Sequence, residues 1–170
     1  MSGMHHNHSV NYRVEYIKLI VVLAFITFSS WLLSMWHGLT LMTYLESFMG
    51  IFFIVFALFK YMNLDEFAHG IRDYVGLENI DLKVAKQYPA VQTGLGILYV
   101  LGVTSIVLDV VVLLWSSYSA LVVYRTIKQK KKVHCMCLGN VIKLPLSTTS
   151  FVEDFGMAAM AAVMIVLRVV

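Results

Sequence analysis

Apolar positions in this chain come in long unbroken runs, not in the one-face or alternating patterns of a soluble fold. The first run, 17–36, is long enough for a helix to cross a hydrocarbon core about 30 Å thick. His37, Gly38, Leu39 and Thr40 then read as a turn. A second run, 44–62, ends on Lys60 and Tyr61, which suit the interface because each keeps a polar tip in head groups while its stem stays in lipid. Trp31 and Trp36 do the same for the first run. Residues 63–88 break the pattern with mixed charge, yet Leu64, Phe67, Ala68, Ile71, Tyr74 and Val75 recur at helical spacing. An amphipathic segment lying along the membrane surface is expected there, with a second short helix over 79–87. Pro89 is expected to open the next span.

Residues 90–124 carry a single charge, Asp109. One straight helix of that length would measure about 52 Å, far beyond what a bilayer needs. The stretch therefore reads as two spans, about 89–102 and 105–124, with the break between Gly102 and Ser105. A final span over 151–169 is expected to start from a capping box of Ser150 and Glu153, with Pro145 just upstream. Gly156, Ala158, Ala159, Ala161 and Ala162 give it a thin surface that favours close packing against a neighbouring helix. Ser29, Ser30 and Ser34 on the first span, and Gln92 and Thr93 on the third, read most simply as hydrogen-bond partners between helices.

Composition supports lipid as the solvent: 59% of the residues are hydrophobic and 14% charged, and mean hydropathy is +0.78. The runs are too continuous for the alternating strands of an outer-membrane barrel, and helices satisfy their own backbone in lipid. The expected fold is thus an all-α integral membrane protein, a bundle of about five transmembrane helices with a short amphipathic interfacial segment. A His-rich tail (1–15) precedes a single helical domain (16–170). The first run reads as a retained span, because 19–45 is uncharged well beyond the core of a secretory signal and shows no small-x-small cleavage site.

With five spans, Arg13, Lys18, Lys60, Arg72, Lys83, Lys86 and the cluster Arg125, Lys128, Lys130, Lys131 and Lys132 fall on one side. That side is expected to be the cytoplasm of a multi-pass cell-membrane protein, here read as a bacterial inner-membrane protein with its N terminus inside. The basic run marks the membrane surface, and no nucleic-acid partner is expected.

Two blocks of sequence resemble a known family. The run Phe48-Met49-Gly50-Ile51-Phe52-Phe53 through Lys60, with Asn63-Leu64-Asp65-Glu66-Phe67, is similar to the MauE/DoxX group of small redox-associated membrane proteins. So is the block His134-Cys135-Met136-Cys137-Leu138-Gly139, then Lys143-Leu144-Pro145-Leu146 and Val152-Glu153-Asp154, with Tyr88-Pro89 in order between the two. The resemblance covers about 48–162. It implies a four-helix core and a role in protein maturation of the kind associated with methylamine utilisation, where the family's namesake is linked to a disulfide-rich dehydrogenase subunit. Relatives carry an acid shortly after Tyr-Pro, where this chain has Gln92.

Candidate chemistry centres on the only cysteines, Cys135 and Cys137. Neighbouring lysines favour the thiolate, and a disulfide across so short a ring would be strained and readily exchanged. They are read as a redox pair of an accessory thiol-disulfide protein, with Glu153 and Asp154 in the first turn of the last helix as proton acceptors and a membrane quinone as a candidate electron carrier. A redox or client protein would be the partner, alongside the bilayer, and assembly into homo- or hetero-oligomers is allowed. A cytoplasmic position favours a transient disulfide over a stable one. Soft-metal handling is the second reading: His134, Cys135, Met136 and Cys137, with His5, His6 and His8, offer donors suited to Cu(I). Inert thiols are the third, in a non-catalytic scaffold that assembles through the alanine-rich last helix. Glu46, Lys60, Gln92 and Asp109 are the polar groups placed within the membrane. Glu46 and Asp109, with His37 at similar depth, either converge or reach separately into head groups.

Overall fold

The computed structural model describes residues 12–72, 79–103, 105–128 and 146–169. Cys135, Cys137, His134, Met136, His5, His6 and His8 lie outside them. Six helices and no strand occur among the described residues: α1 Tyr12–His37, α2 Leu41–Met62, α3 Leu64–Arg72, α4 Leu82–Val100, α5 Ile106–Lys128 and α6 Leu146–Val169. Three are long and apolar enough to cross a membrane, over Tyr16–His37, Leu41–Met62 and Ile106–Thr126.

Two glycines make the turns at one end of the bundle. Gly102 has φ of 70°, a conformation that disfavours a side chain. Val103 N–H reaches Leu98 O and Gly102 N–H reaches Tyr99 O, the paired bonds of a Schellman stop. This ends α4 and divides the apolar stretch 90–124 between α4 and α5. Gly38, with φ of 99°, ends α1 in the same way, with Leu39 N–H on Ser34 O. Thr40 and Thr43 then form a reciprocal capping box for α2.

Three expectations are corrected. First, 79–87 is no separate helix and Pro89 opens no span: α4 runs unbroken from Leu82 through Pro89. Asp81 caps its start, and small, buried Ala85 stands at the position whose carbonyl the proline ring crowds. Second, α6 begins at Leu146, so Ser150 lies inside the helix and Glu153 and Asp154 sit about two turns in, beyond the first turn. Third, Ser30 and Ser34 donate to Ile26 O and Trp31 O of their own helix, and Thr93 donates to Pro89 O. These hydroxyls satisfy themselves locally and do not bridge helices, whereas Gln92 of the same expectation does bridge, accepting from Lys60 of α2.

The burial pattern is inverted relative to a water-soluble protein. Ser30, Ser34, Glu46, Ser47, Lys60, Gln92, Asp109, Ser116 and Thr126 are buried, while Ile17, Ile20, Phe25, Phe28, Leu114 and Leu121 face outward. Polar groups inside and large apolar side chains outside are what a lipid solvent selects.

Helix α2 is the hub. It packs on α1 and α4, and α5 packs on α6. Phe52 and Phe56 stack with ring centroids 4.2 Å apart along its inner face. Its contact with α4 is close, because a Cβ built on Gly50 would come within 3.0 Å of Gly96 O, and one on Gly96 within 2.9 Å of Gly50 O. From α6, Met157, Ala161 and Met164 enter the core, a face set by helical periodicity. The amphipathic α3 buries Phe67 and Ala68 and packs against α4, with Asp65 paired to Lys86 at 2.5 Å.

Candidate functional site

Four of the buried polar side chains, Glu46, Asp109, Lys60 and Gln92, fall into two centres at opposite ends of the bundle. The first joins four helices. Arg168, near the end of α6, donates from Nε to Asp109 Oδ2 and from Nη2 to Glu46 Oε1. Asp109 lies in the first turn of α5 and Glu46 in the first two turns of α2. Tyr99, at the end of α4, donates its hydroxyl to Asp109 Oδ1 at 2.8 Å. Asp109 is fully buried. Glu46 and Asp109 therefore do not reach separately into head groups; one guanidinium spans both. His37 stands nearby, its ring against the turn at Gly102. A planar fork whose donors diverge can hold two carboxylates at once, which a lysine cannot do with the same geometry. The arrangement acts as a clasp.

The second centre lies around Lys60, near the end of α2. The residue is 4% exposed; its ammonium donates to Gln92 Oε1 at 2.6 Å and stands 5.0 Å from the ring centroid of Tyr88 and 5.7 Å from that of Phe67, within cation–π range. Tyr88 accepts from Trp115 Nε1 at 3.2 Å, and their rings are 5.0 Å apart. Ser119 of α5 donates to Asp154 of α6 at 2.6 Å. Lys60, Tyr88, Trp115, Ser119, Glu153 and Asp154 all line one cavity of about 310 Å³. The structure thus brings together Lys60, Gln92, Glu153 and Asp154 at one end, and Glu46 and Asp109 at the other.

Arg168, Tyr99, Trp115 and Ser119 were not singled out from the sequence, and Tyr88 entered only with the Tyr88-Pro89 motif. For Arg168 a signal existed: it is the lone cation of an apolar final helix, at the depth of two lone acids. The aromatic residues gave none, because aromatics are abundant in every span.

Among the described residues no group of three or more His, Cys, Asp or Glu side chains is arranged to hold a metal ion. The cysteines belong to 129–145, between α5 and α6. The ends of those helices that flank this segment, Lys128 and Leu146, are the ends on the Lys60 side.

No curated protein and no solved structure matches the chain. The family model described as methylamine utilisation protein MauE matches residues 31–167, a span that takes in both buried centres except Arg168, and the chain is a membrane protein belonging to the MauE family.

Proposed function

We propose that this chain is a multi-pass accessory protein of the cell membrane that supports protein maturation by thiol-disulfide exchange through Cys135 and Cys137. In this reading α1, α2, α4, α5 and α6 are five spans, α3 lies at the surface, and the N terminus is cytoplasmic. The observation that carries it is the MauE match over 31–167, which includes the Cys-x-Cys pair. Charge supports the orientation. Lys60, Arg72, Lys83, Lys86, Arg125 and Lys128 belong to the end of the bundle from which the cysteine segment leaves and returns, whereas the cation at the opposite end, Arg168, is engaged with Glu46 and Asp109.

The exchange itself balances without a cofactor. A client thiolate attacks one sulfur of the Cys135–Cys137 disulfide, and a mixed disulfide forms. The client's second thiol then displaces the protein's sulfur, leaving a client disulfide and a reduced pair. The reverse sequence reduces a client.

Trapping the thiols of the purified protein after equilibration in buffers of graded potential tests this. Joint oxidation of both thiols in one two-electron transition is expected. Two thiols that never oxidise together would contradict it. Titration with Cu(I) separates the soft-metal reading, which requires a defined stoichiometry that Cys135→Ser abolishes.

A further inference from the structure

The helices fall into two bodies. One is α1, α2, α3 and α4, arranged on α2; the other is the hairpin of α5 and α6, the most extensively packed pair in the bundle. Among the described residues α4 and α5 scarcely touch, and α2 meets α6 only sparingly. A single covalent link joins the bodies, the turn between α4 and α5 at Gly102, whose φ of 70° lies outside helical geometry. At that same end Arg168 ties α6 to Glu46 of α2, and Tyr99 ties α4 to Asp109 of α5. Chain and charge thus pin the bodies together there.

At the Lys60 end the cavity of about 310 Å³ lies between the bodies, with Phe67, Val84 and Tyr88 on the wall of the first and Trp115, Val123 and Asp154 on that of the second. Ties across it include the hydrogen bond from Trp115 Nε1 to Tyr88 at 3.2 Å and the attraction between the charges of Lys60 and Asp154. Between the two ends, Met49 of α2 shares one buried cluster with Met157 and Met164 of α6. Methionine is unbranched and adapts its shape to its surroundings, so this seam tolerates a change of angle better than branched side chains would. Two bodies pinned at one end, with a void at the other and an adaptable seam between, have the make-up of a hinge. We infer that α5 and α6 form a rigid arm that pivots at the Gly102 turn and the Arg168 clasp, widening and narrowing the cavity at the Lys60 end. Residues 129–145 are joined to α5 and α6 alone, so the native cysteines belong to the arm. Any use of that motion in moving the thiols rests on the thiol-exchange reading; the pivot itself does not.

The test uses the full chain with Cys135→Ser and Cys137→Ser, in phosphatidylcholine nanodiscs, so that failure of the redox reading leaves the outcome unaffected. Spin labels are attached in pairs at exposed positions: Val84→Cys with Leu121→Cys across the Lys60 end, Leu98→Cys with Val107→Cys across the pinned end, and Leu121→Cys with Phe155→Cys within the arm. Distance distributions are measured by electron paramagnetic resonance before and after Trp115→Leu, which removes the bond to Tyr88. For the first pair a longer distance is expected, carried by about 0.1 to 10% of molecules before the substitution and rising about fivefold after it, the ratio for loss of one hydrogen bond. The second and third pairs should not change. A first pair that keeps one unchanged distance in both proteins would show a rigid bundle and overturn the pivot. Lengthening of the second or third pair would place the motion at the wrong end or inside the arm, and overturns it as well. Should Trp115→Leu fail to fold, Tyr88→Phe, which removes only the acceptor oxygen, decides the same comparison.

Discussion

Arg168 donates from Nε to Oδ2 of Asp109 at 2.5 Å, binding the last turn of α6 to the first turn of α5. The same guanidinium holds Glu46, and Tyr99 completes the shell around Asp109. Four helices are thereby fixed at the end of the bundle opposite Lys60. An apolar contact there could slide; a bidentate cation between two carboxylates fixes register and rotation together.

Removing the guanidinium leaves two carboxylates buried without their countercharge. Arg168→Met is expected to destabilise the bundle by about 3 to 5 kcal/mol, the usual cost of breaking a buried pair from one side. Arg168→Lys should recover only part of that, because an ammonium lacks the fork. Adding Glu46→Leu and Asp109→Leu to Arg168→Met should restore much of the loss, since no charge then remains to be neutralised. Thermal unfolding in detergent, monitored by circular dichroism, ranks the four proteins.

The crossing of α2 and α4 depends on hydrogen atoms at two positions. Gly96→Ala would drive a methyl group into Gly50 O and the Ile54 side chain, both at 2.9 Å. A loss of about 1 to 3 kcal/mol is expected, typical of overpacking. Gly94, two residues earlier on the same helix, has nothing within 4 Å of a Cβ. Gly94→Ala should be neutral, or stabilising by about 0.5 to 1 kcal/mol through helix propensity. Equal effects of the two substitutions would argue against this crossing.

Surface α3 is tied to α4 by Asp65 and Lys86, and the lysine, through hydrogen bond and charge, holds the Asp65 carboxyl below its usual value of 3.8. A carboxyl with a depressed folded-state pKa contributes stability above its unfolded pKa and loses it as the pH falls through the folded value. The difference in melting temperature between wild type and Asp65→Asn should therefore be present above 3.8 and shrink as the pH falls below it. Both side chains are well exposed, so the difference should be small and fall with added salt.

Run length and glycine made the scaffold legible in the sequence. Apolar runs such as 17–36 and 44–62 exceed what a soluble helix can hide, and Gly102 stands where the 90–124 stretch must turn. Legibility failed where a distant contact decides the outcome. Pro89 looked like a helix start, yet the turns before it are held by Asp81, by the Lys86–Asp65 pair and by Tyr88 against Trp115 and Phe67. Ser150 and Glu153 matched a capping motif, but α6 had already begun at Leu146. Glu46 and Asp109 stood out as lone acids. Their partner, Arg168, lies 122 and 59 residues away along the chain, and no periodicity links positions so far apart.

In the proposed topology the bundle has a cytoplasmic end that carries Lys60 and the cysteine segment, and an opposite end closed by Arg168. Labelling of intact spheroplasts with a membrane-impermeant maleimide tests it most directly. Cys135 and Cys137 should stay unlabelled until the membrane is permeabilised. A Leu39→Cys probe in the α1–α2 turn, in a chain with both native cysteines replaced by serine, should label at once. Labelling of the native thiols in intact spheroplasts, with Leu39→Cys protected, would reverse this topology and place the chemistry in the opposite compartment.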